Sequence, residues 1–321
     1  MQTAVDDIAT ERTRPAESPL GAIAAGGVVV GCDGSPGAHA AALWAAREAG
    51  AHHREVTLVR AIPVPLLTAG IGPVVTTDLD ISEDLRRAAL DDLRDEASAI
   101  GLPTAGRYAE IGSPAGLLLE ASRRASLIVI GSRGLGGFSG LLLGSTGSQV
   151  APHATCPVVV VRGESTHPIR DVIVGIDESP SARGALAFAF AEASRHGARL
   201  TVVHAWELPT YDLLVVPDDF YPWSIDALTS DEMRLSAEVL AGFASRYPDV
   251  AVRTSVVRGR AADALLHAAS ADAASPGALL VVGSRGRGAL AGALLGSVSH
   301  SVLHRAAGPV AVVPPEVDEW S

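Results

Sequence analysis

The sequence contains the same glycine-rich segment twice, and this repeat is the strongest constraint on its fold. Residues 131–145 read GSRGLGGFSGLLLGS, and residues 283–297, which lie 152 positions later, read GSRGRGALAGALLGS. A second matching pair, VVVGCDGSPGAHAAALWAAREA at 28–49 and VIVGIDESPSARGALAFAFAEA at 172–193, follows the same order along the chain. A chain of this kind folds as two copies of one unit, so we expect a tandem duplication.

The repeats predict three regions in the 321 residues. A flexible N-terminal arm is expected at 1–25, a first domain at 26–163 and a second domain at 169–315, joined by a short linker around 162–170. A chain of this length is long enough for two domains, and a content of 48% apolar and 19% charged residues is typical of globular proteins.

Short aliphatic runs alternate with longer alanine-rich segments of helical period in each copy. In the first copy, strands are predicted at Val28–Cys32, Val56–Ala61, Gly106–Ile111, Leu127–Ile130 and Pro157–Val161. This alternation is typical of a parallel sheet covered by helices on both faces. Ser35-Pro36 and Ser179-Pro180 are predicted helix starts, and the proline-rich segments 63–80 and 206–224 are predicted long loops.

Charge and composition exclude several classes of protein. The net charge of -11 argues against non-specific binding to nucleic acid or to an anionic membrane surface. All 25 basic residues are arginine, so no P-loop, whose motif requires lysine, can exist. Cys32 and Cys156 are too few for a disulfide framework, and the histidines show no metal-ligand spacing shared by both copies. With no signal-peptide or membrane-spanning pattern, we expect a cytoplasmic protein without a bound metal.

The two glycine-rich segments are predicted phosphate-binding loops. Each follows an aliphatic strand and precedes a helix, which is where parallel α/β sheets bind ligands. Gly131 and Gly134 lack a Cβ, so we expect close approach of the backbone to a ligand and positive φ angles. Gly144-Ser145 then begins a helix whose first N–H groups favour anions. The alternative from the residues alone is a strand-to-helix turn that binds nothing.

This pattern resembles the nucleotide-binding motif of the universal stress protein family. The motif is G-x-x-G, nine residues and G-[ST], and it occurs at residues 131–145 and again at 283–297. An aspartate at the end of the first strand, Asp33 in one copy and Asp177 in the other, also matches. The resemblance covers roughly 28–313 and implies two tandem Rossmann-like domains of the adenine nucleotide alpha hydrolase type. Each would have a five-stranded parallel sheet of order 3-2-1-4-5 with helices on both faces.

The resemblance implies that ATP, with Mg²⁺, binds at the carboxyl edge of each sheet, one site per domain. The implied residues of the first site are Gly31, Asp33, Ala61, Ile130, Gly131, Gly134, Gly144, Ser145 and Thr146. Those of the second site are Gly175, Asp177, Ala205, Val282, Gly283, Gly286, Gly296, Ser297, Val298 and Ser299.

The resemblance also implies how these residues divide between the parts of the nucleotide. The aspartate contacts the base and ribose, and Ala61 with Ile130, or Ala205 with Val282, lines the adenine slot.

One position departs from the family pattern. Ser299 supplies a hydroxyl near the start of its helix, whereas the first copy has Gly147, which is followed by Ser148.

The resemblance favours an ATP-binding, nucleotide-dependent regulator of the stress response rather than an enzyme. The signatures of ATP-cleaving relatives are missing, although slow ATP hydrolysis stays open as an alternative. A further alternative is an interaction module with empty or degenerate sites. The resemblance also implies that the last strands of the two copies pair as a pseudo-dimer within one chain, with further homodimerisation and the protein partner open.

Overall fold

The computed structural model describes residues 23–63, 66–68, 73–75, 79–135, 143–163, 167–177, 179–207, 225–270, 277–286 and 295–315. Most of the predicted N-terminal arm, the centre of each glycine-rich segment and most of the predicted loop at 206–224 lie outside these residues. None of the described helices is both long and apolar enough to cross a membrane.

The first copy alternates strands and helices, as its sequence pattern predicts. Its elements are β1 (Val28–Gly31), α1 (Pro36–His52), β2 (Val56–Ile62), β3 (Leu66–Thr68), β4 (Pro73–Val75), α2 (Leu79–Ala99), β5 (Gly106–Ile111), α3 (Pro114–Ala121), β6 (Leu127–Gly131), α4 (Ser145–His153) and β7 (Val158–Val161). The predicted strands are therefore correct to within one residue at each end.

The second copy repeats this order. Its elements are β8 (Asp171–Ile176), α5 (Pro180–His196), β9 (Arg199–Trp206), α6 (Ile225–Arg246), β10 (Val252–Arg258), α7 (Ala261–Ser270), β11 (Ala278–Gly283), α8 (Ser297–Arg305) and β12 (Val310–Val313).

All ten main strands belong to one continuous sheet, in the order β10-β9-β8-β11-β12-β7-β6-β1-β2-β5. Within each copy the strands are parallel and their order is 3-2-1-4-5, as the resemblance implied. The copies join where β7 runs antiparallel to β12, with Val159 opposite Ala311. The expected pairing of the last strands within one chain is thus confirmed. Because this pairing is antiparallel, the carboxyl edges of the two half-sheets face opposite ways.

The helices cover both faces of the sheet, because the strands bury aliphatic side chains on both sides. Packing under α1, α2, α5 and α6 forms one core that crosses the junction of the copies, with Trp44 and Phe188 as its largest fully buried side chains besides Phe190. Packing under α3, α4, α7 and α8 forms the core of the other face.

Serine caps set the starts of α1 and α5, as the Ser-Pro pairs predict. Ser35 Oγ accepts a hydrogen bond from the Ala38 N–H at 3.2 Å, and Ser179 Oγ accepts the equivalent bond from Ala182 at 3.2 Å.

The predicted loop at 63–80 is wrong in part, because two short strands occupy some of it. Leu66–Thr68 and Pro73–Val75 pair antiparallel as a separate two-stranded sheet, with Leu66 opposite Val75. The aliphatic residues of the two segments favour strands, whereas the neighbouring prolines indicated a loop in the sequence.

Candidate functional site

A cavity of about 660 Å³ opens at the carboxyl edge of the first half-sheet. Its volume lies within the range of about 300–1,000 Å³ typical of small-molecule sites. All the residues implied for the first site line it: Gly31, Asp33, Ala61, Ile130, Gly131, Gly134, Gly144, Ser145 and Thr146. The fold therefore brings together residues from the ends of three strands, one glycine-rich loop and one helix start.

The Asp33 carboxylate fixes the shape of this cavity through backbone hydrogen bonds. Its Oδ1 accepts from the Ser35 N–H at 2.9 Å, at the start of α1, and its Oδ2 accepts from the Leu135 N–H at 2.9 Å, in the glycine-rich loop. One side chain thus holds the turn after β1 against the loop after β6. Each carboxylate oxygen has a second lone pair, so Asp33 can still accept a hydrogen bond from a hydroxyl group of a ligand.

The glycines of the first loop are required by close contacts and not by backbone angles. A Cβ at Gly131 would lie 2.5 Å from the backbone carbon of Gly37, and one at Gly134 would overlap Asp33 Oδ2. Neither Gly131 nor Gly134 has a positive φ, so that expectation is wrong. In both copies the loop instead lies against the start of the first helix, where only a hydrogen fits.

The helix that follows each loop begins without a side-chain cap. Gly144 is the N-cap of α4 and Gly296 that of α8, and neither position has a side-chain oxygen to accept the first N–H groups. By contrast, α1, α3 and α5 are all capped by serine. Uncapped N–H groups at the positive end of a helix dipole form an anion-binding site, and Ser145 and Thr146 place theirs in the cavity wall.

The opposite wall of the cavity is apolar, as expected for a slot that holds a flat base. Ala61 and Ile130 form part of it, and Val59 lies beside them. Sequence reasoning missed Leu117 and Leu118 of α3, which complete this wall. Their signal was Ser113-Pro114, a third serine–proline helix start directly after a strand, with Ser113 Oγ accepting from the Gly116 N–H.

Two arginines and a cysteine set the electrostatics of the first cavity. Arg133 lies in the glycine-rich loop, while Arg60 reaches the cavity from β2 and forms an ion pair with Asp92 at 2.6 Å. Cys32 also lines the cavity, and burial, aided by the nearby charges of Glu96 and Asp33, raises the pKa of its thiol to about 12. A thiol of this pKa stays protonated at neutral pH and is not a nucleophile.

The second copy repeats the frame of the first site. Asp177 Oδ1 accepts from the Ser179 N–H at 2.9 Å, and a Cβ at Gly286 would lie 2.9 Å from Asp177 Oδ2. The Gly296 N–H donates to Ser284 O at 2.8 Å, which matches the bond from Gly144 to Ser132.

The other implied residues of the second site lie at the corresponding ends of the strands and of α8. Gly175 lies in β8, Ala205 in β9, Val282 and Gly283 in β11, and Ser297, Val298 and Ser299 in the first turn of α8.

The differences between the two sites include the pair Arg60 and His204 and the pair Gly147 and Ser299. His204, whose Nδ1 lies 3.2 Å from Ile176 O, occupies in β9 the place that Arg60 has in β2. Ser299 Oγ donates a hydrogen bond to Gly283 O at 2.5 Å, and this bond connects α8 to β11.

The first copy has no substitute for the Ser299 hydroxyl within its described residues. A Cβ at Gly147 would lie 2.8 Å from Leu143 Cδ1, and the exposed Ser148 Oγ donates to Ser145 O within its own helix.

Comparison with known proteins identifies the family of the chain. The model of the universal stress protein family matches the chain twice, at residues 27–162 and 168–314. The chain belongs to the universal stress protein family and carries two of its domains in tandem.

Relatives with the same tandem arrangement are found in mycobacteria. A universal stress protein of Mycolicibacterium smegmatis is 38% identical over 299 residues, which cover 90% of this chain and 97% of the relative. One from Mycobacterium tuberculosis is 38% identical over 296 residues, covering 89% and 95%. The crystal structure of a universal stress protein from Archaeoglobus fulgidus superposes with a TM-score of 0.66 at 21% identity, covering 90% of this chain and 98% of that one.

Proposed function

We propose that the chain is an ATP-binding regulatory protein of the stress response that acts in the cytoplasm, with one nucleotide site per domain. The observation that carries the proposal is the first cavity, which combines an apolar slot, an aspartate at its entrance and an uncapped helix start in about 660 Å³. Each of these parts suits one part of an adenine nucleotide.

Each part of the nucleotide has a partner in the first site. The base would lie between Ala61, Ile130 and the leucines of α3, where a flat apolar surface is removed from water. The ribose would approach Asp33, whose free lone pairs accept hydroxyl protons. The phosphates would lie against the N–H groups of Ser145 and Thr146, where the helix dipole favours negative charge.

The same residues leave the Mg²⁺ ion to the nucleotide. Mg²⁺ would enter bound to the phosphates, which is its usual mode in nucleotide sites, while the free lone pairs of Asp33 receive the ribose hydroxyl groups.

The lining of the cavity supports a binding role rather than catalysis. Its described residues include no histidine, lysine or glutamate, and the one carboxylate among them, Asp33, is assigned to the ribose rather than to the phosphates. The Cys32 thiol is held protonated by its raised pKa of about 12. Binding without rapid turnover suits a protein whose nucleotide state is read by a partner.

The decisive experiment is calorimetric titration of the full chain with ATP. We expect two sites per chain, because the second copy repeats the frame of the first. Asp33→Ala and Asp177→Ala are matched variants, and each should remove one site and leave the other. AMP should bind at least about tenfold more weakly than ATP, since each charge-assisted hydrogen bond to a phosphate contributes about 1.5–3 kcal/mol.

Three results would overturn the proposal in different ways. Folded protein that gives no heat with ATP would favour the interaction module with empty sites. Rapid multiple turnover of labelled ATP would make the chain an enzyme. Equal affinity for ATP and AMP would show that the uncapped helix starts do not hold phosphate.

A further inference from the structure

Four ionisable side chains from the two copies meet in the core at the junction of the half-sheets. Helices α1 and α5 contact each other there, α1 over β7 and α5 over β12. We call the group they bring together the interface cluster, and its members are Glu48, His52, Glu192 and His196.

The cluster has the two-fold symmetry of the duplication. Glu48 and His52 lie four residues apart near the end of α1, and Glu192 and His196 occupy the same places in α5. Each histidine reaches the glutamate of the other copy: His196 Nε2 lies 2.8 Å from Glu48 Oε2, and His52 Nε2 lies 3.2 Å from Glu192 Oε2. This reciprocal exchange is what an interface around a two-fold axis requires.

We propose that the interface cluster binds one divalent transition-metal ion, with Zn²⁺ as the best match. The four candidate ligand atoms, two imidazole Nε2 and two carboxylate Oε2, all lie within 4.8 Å of one another. Imidazole and carboxylate are both established ligands of zinc, and four protein ligands with no open position define a structural site.

The distances within the cluster match a tetrahedral ion. Besides the two contacts between copies, His196 Nε2 lies 3.5 Å from Glu192 Oε2 and His52 Nε2 lies 3.9 Å from Glu48 Oε2. Ligands at about 2.0–2.2 Å from zinc in tetrahedral geometry are separated by about 3.3–3.6 Å. The four distances between histidine and glutamate, from 2.8 to 3.9 Å, lie on both sides of this value.

Burial and charge favour a cation at the centre of the cluster. The side chains of Glu48, His52 and Glu192 are each exposed by 4% or less, and that of His196 by 12%. Two buried carboxylates carry two negative charges, which one divalent ion between neutral imidazoles balances. The site would be closed on the core side and reached past His196.

Arg195 positions one of the ligands without taking its metal-binding atom. Its Nη1 donates to Glu192 Oε1 at 2.8 Å, whereas Oε2 faces the two histidines. The same Nη1 lies 3.4 Å from His52 Nε2, so binding of the ion would require the guanidinium to turn away from His52. An outer partner on the second oxygen is how ligating carboxylates are usually oriented.

The ionisation of the cluster is consistent with this role. Burial alone would raise the pKa of Glu192, but hydrogen bonds from His196 and His52 outweigh it and hold the pKa at about 2. Burial lowers the pKa of His196, but hydrogen bonds to Glu192 and Glu48 raise it to about 9.

Sequence reasoning missed this site because it compared the spacings of the histidines alone between the copies and left out the glutamates. The signal was the Glu-x-x-x-His spacing, which occurs at the same place in α1 and α5 and puts both groups on one helix face. Each copy supplies only half of the ligands, so neither half looks like a metal site alone.

The test begins with the full chain, stripped by a chelator and titrated with Zn²⁺ in a calorimeter. We expect saturation at one ion per chain, retained after desalting when the metal content is measured, and a higher thermal unfolding midpoint. Absence of saturable binding would overturn the proposal.

Matched variants locate the ion. The His52→Asn, His196→Asn double variant should weaken Zn²⁺ binding at least about 100-fold, since even outer partners of metal ligands are worth about 10–100-fold. The control is His300→Asn with His304→Asn, a pair four residues apart in α8 whose rings lie 4.3 Å apart, and it should keep full affinity. The opposite result would place the ion on α8 and overturn the proposal.

Cobalt keeps the test decisive if the double variant does not fold. Co²⁺ added to the unmodified chain should give the intense visible absorption of tetrahedral coordination, and one equivalent of Zn²⁺ should remove it. A weak spectrum of octahedral type, or none, would overturn the proposed geometry.

Discussion

Gly134 and Asp33 lie so close together across the first cavity that only a hydrogen fits on the Cα of residue 134. The contact comes from two distant parts of the chain, the turn after β1 and the loop after β6. It fixes the carboxylate that receives the Leu135 N–H, and with it the loop that leads to α4.

Gly134→Ala should therefore weaken ATP binding at the first site at least about tenfold, measured by calorimetry. The new methyl group displaces the Asp33 carboxylate, and hydrogen bonds to charged groups are worth about 1.5–3 kcal/mol. Gly50→Ala is the matched control, because a Cβ at this helical position meets nothing within 4 Å. It should leave ATP affinity unchanged and raise stability by about 0.5–1 kcal/mol. Unchanged affinity in Gly134→Ala would contradict the prediction.

Ser35 couples the start of α1 to the glycine-rich loop. Its Oγ accepts from the Ala38 N–H and donates to Arg133 O at 3.4 Å. Ser35→Ala should lower the free energy of unfolding by about 1 kcal/mol through the lost cap and should also weaken ATP binding. Ser113→Ala removes the cap of α3, where Ser113 Oγ accepts from the Gly116 N–H of its own helix, so urea unfolding should show a similar loss while affinity is kept. Equal affinities in the two variants would refute the coupling.

Arg162 fastens the end of the first copy to the second. Its Nη1 donates to His304 O at 2.9 Å and its Nη2 to Leu303 O at 2.8 Å, at the carbonyl end of α8. Arg162→Ala should lower the free energy of unfolding in urea by about 1.5–3 kcal/mol, because these bonds are charge-assisted and half-buried. The exposed pair of Arg94 with Asp91 provides the control, and Arg94→Ala should cost less than about 0.5 kcal/mol. A similar cost for both would show that Arg162 adds nothing beyond an ordinary surface charge.

The two cysteines should resist alkylation in the native chain. Burial raises the pKa of Cys32 to about 12, helped by Glu96 and Asp33, and burial also raises that of Cys156 to about 12. At about pH 8 iodoacetamide should modify both rapidly in urea and neither without it, as read by mass spectrometry.

The same pKa values predict how stability depends on pH. The folded chain holds the thiol protons more tightly than the unfolded chain does, so this contribution is complete below the unfolded pKa of about 8.5. It is lost as pH rises from there towards 12, and the urea midpoint should fall over that range. A urea midpoint that increases as the pH is raised above 9 would contradict the assignment, and so would rapid labelling of Cys32 in the native chain.

The repeat and the strand pattern predicted two copies of a helix-covered parallel sheet, because buried parallel strands leave short aliphatic runs in the sequence. The strand order and the pairing of the two copies came from the family resemblance. For Gly131 and Gly134 the expected positive φ angles were wrong, and close contacts with Gly37 and Asp33 exclude a side chain there instead. A sequence shows that a side chain is missing but does not show whether an angle or a neighbour excludes it. The short pair β3–β4 was missed because prolines next to short aliphatic segments favour a loop in the sequence.

Contacts between distant segments account for the remaining differences. Leu117 and Leu118 reach the cavity only because α3 lies over β1 and β2. Glu48 and His196 meet only because the copies join through β7 and β12. No spacing within one copy encodes either arrangement.

The antiparallel junction of β7 and β12 also determines how another molecule could address this protein. The carboxyl edges of the two half-sheets face in opposite directions. A molecule that docks over one glycine-rich loop therefore does not reach the other loop. Two molecules, one at each glycine-rich loop, could therefore bind a single chain without touching each other.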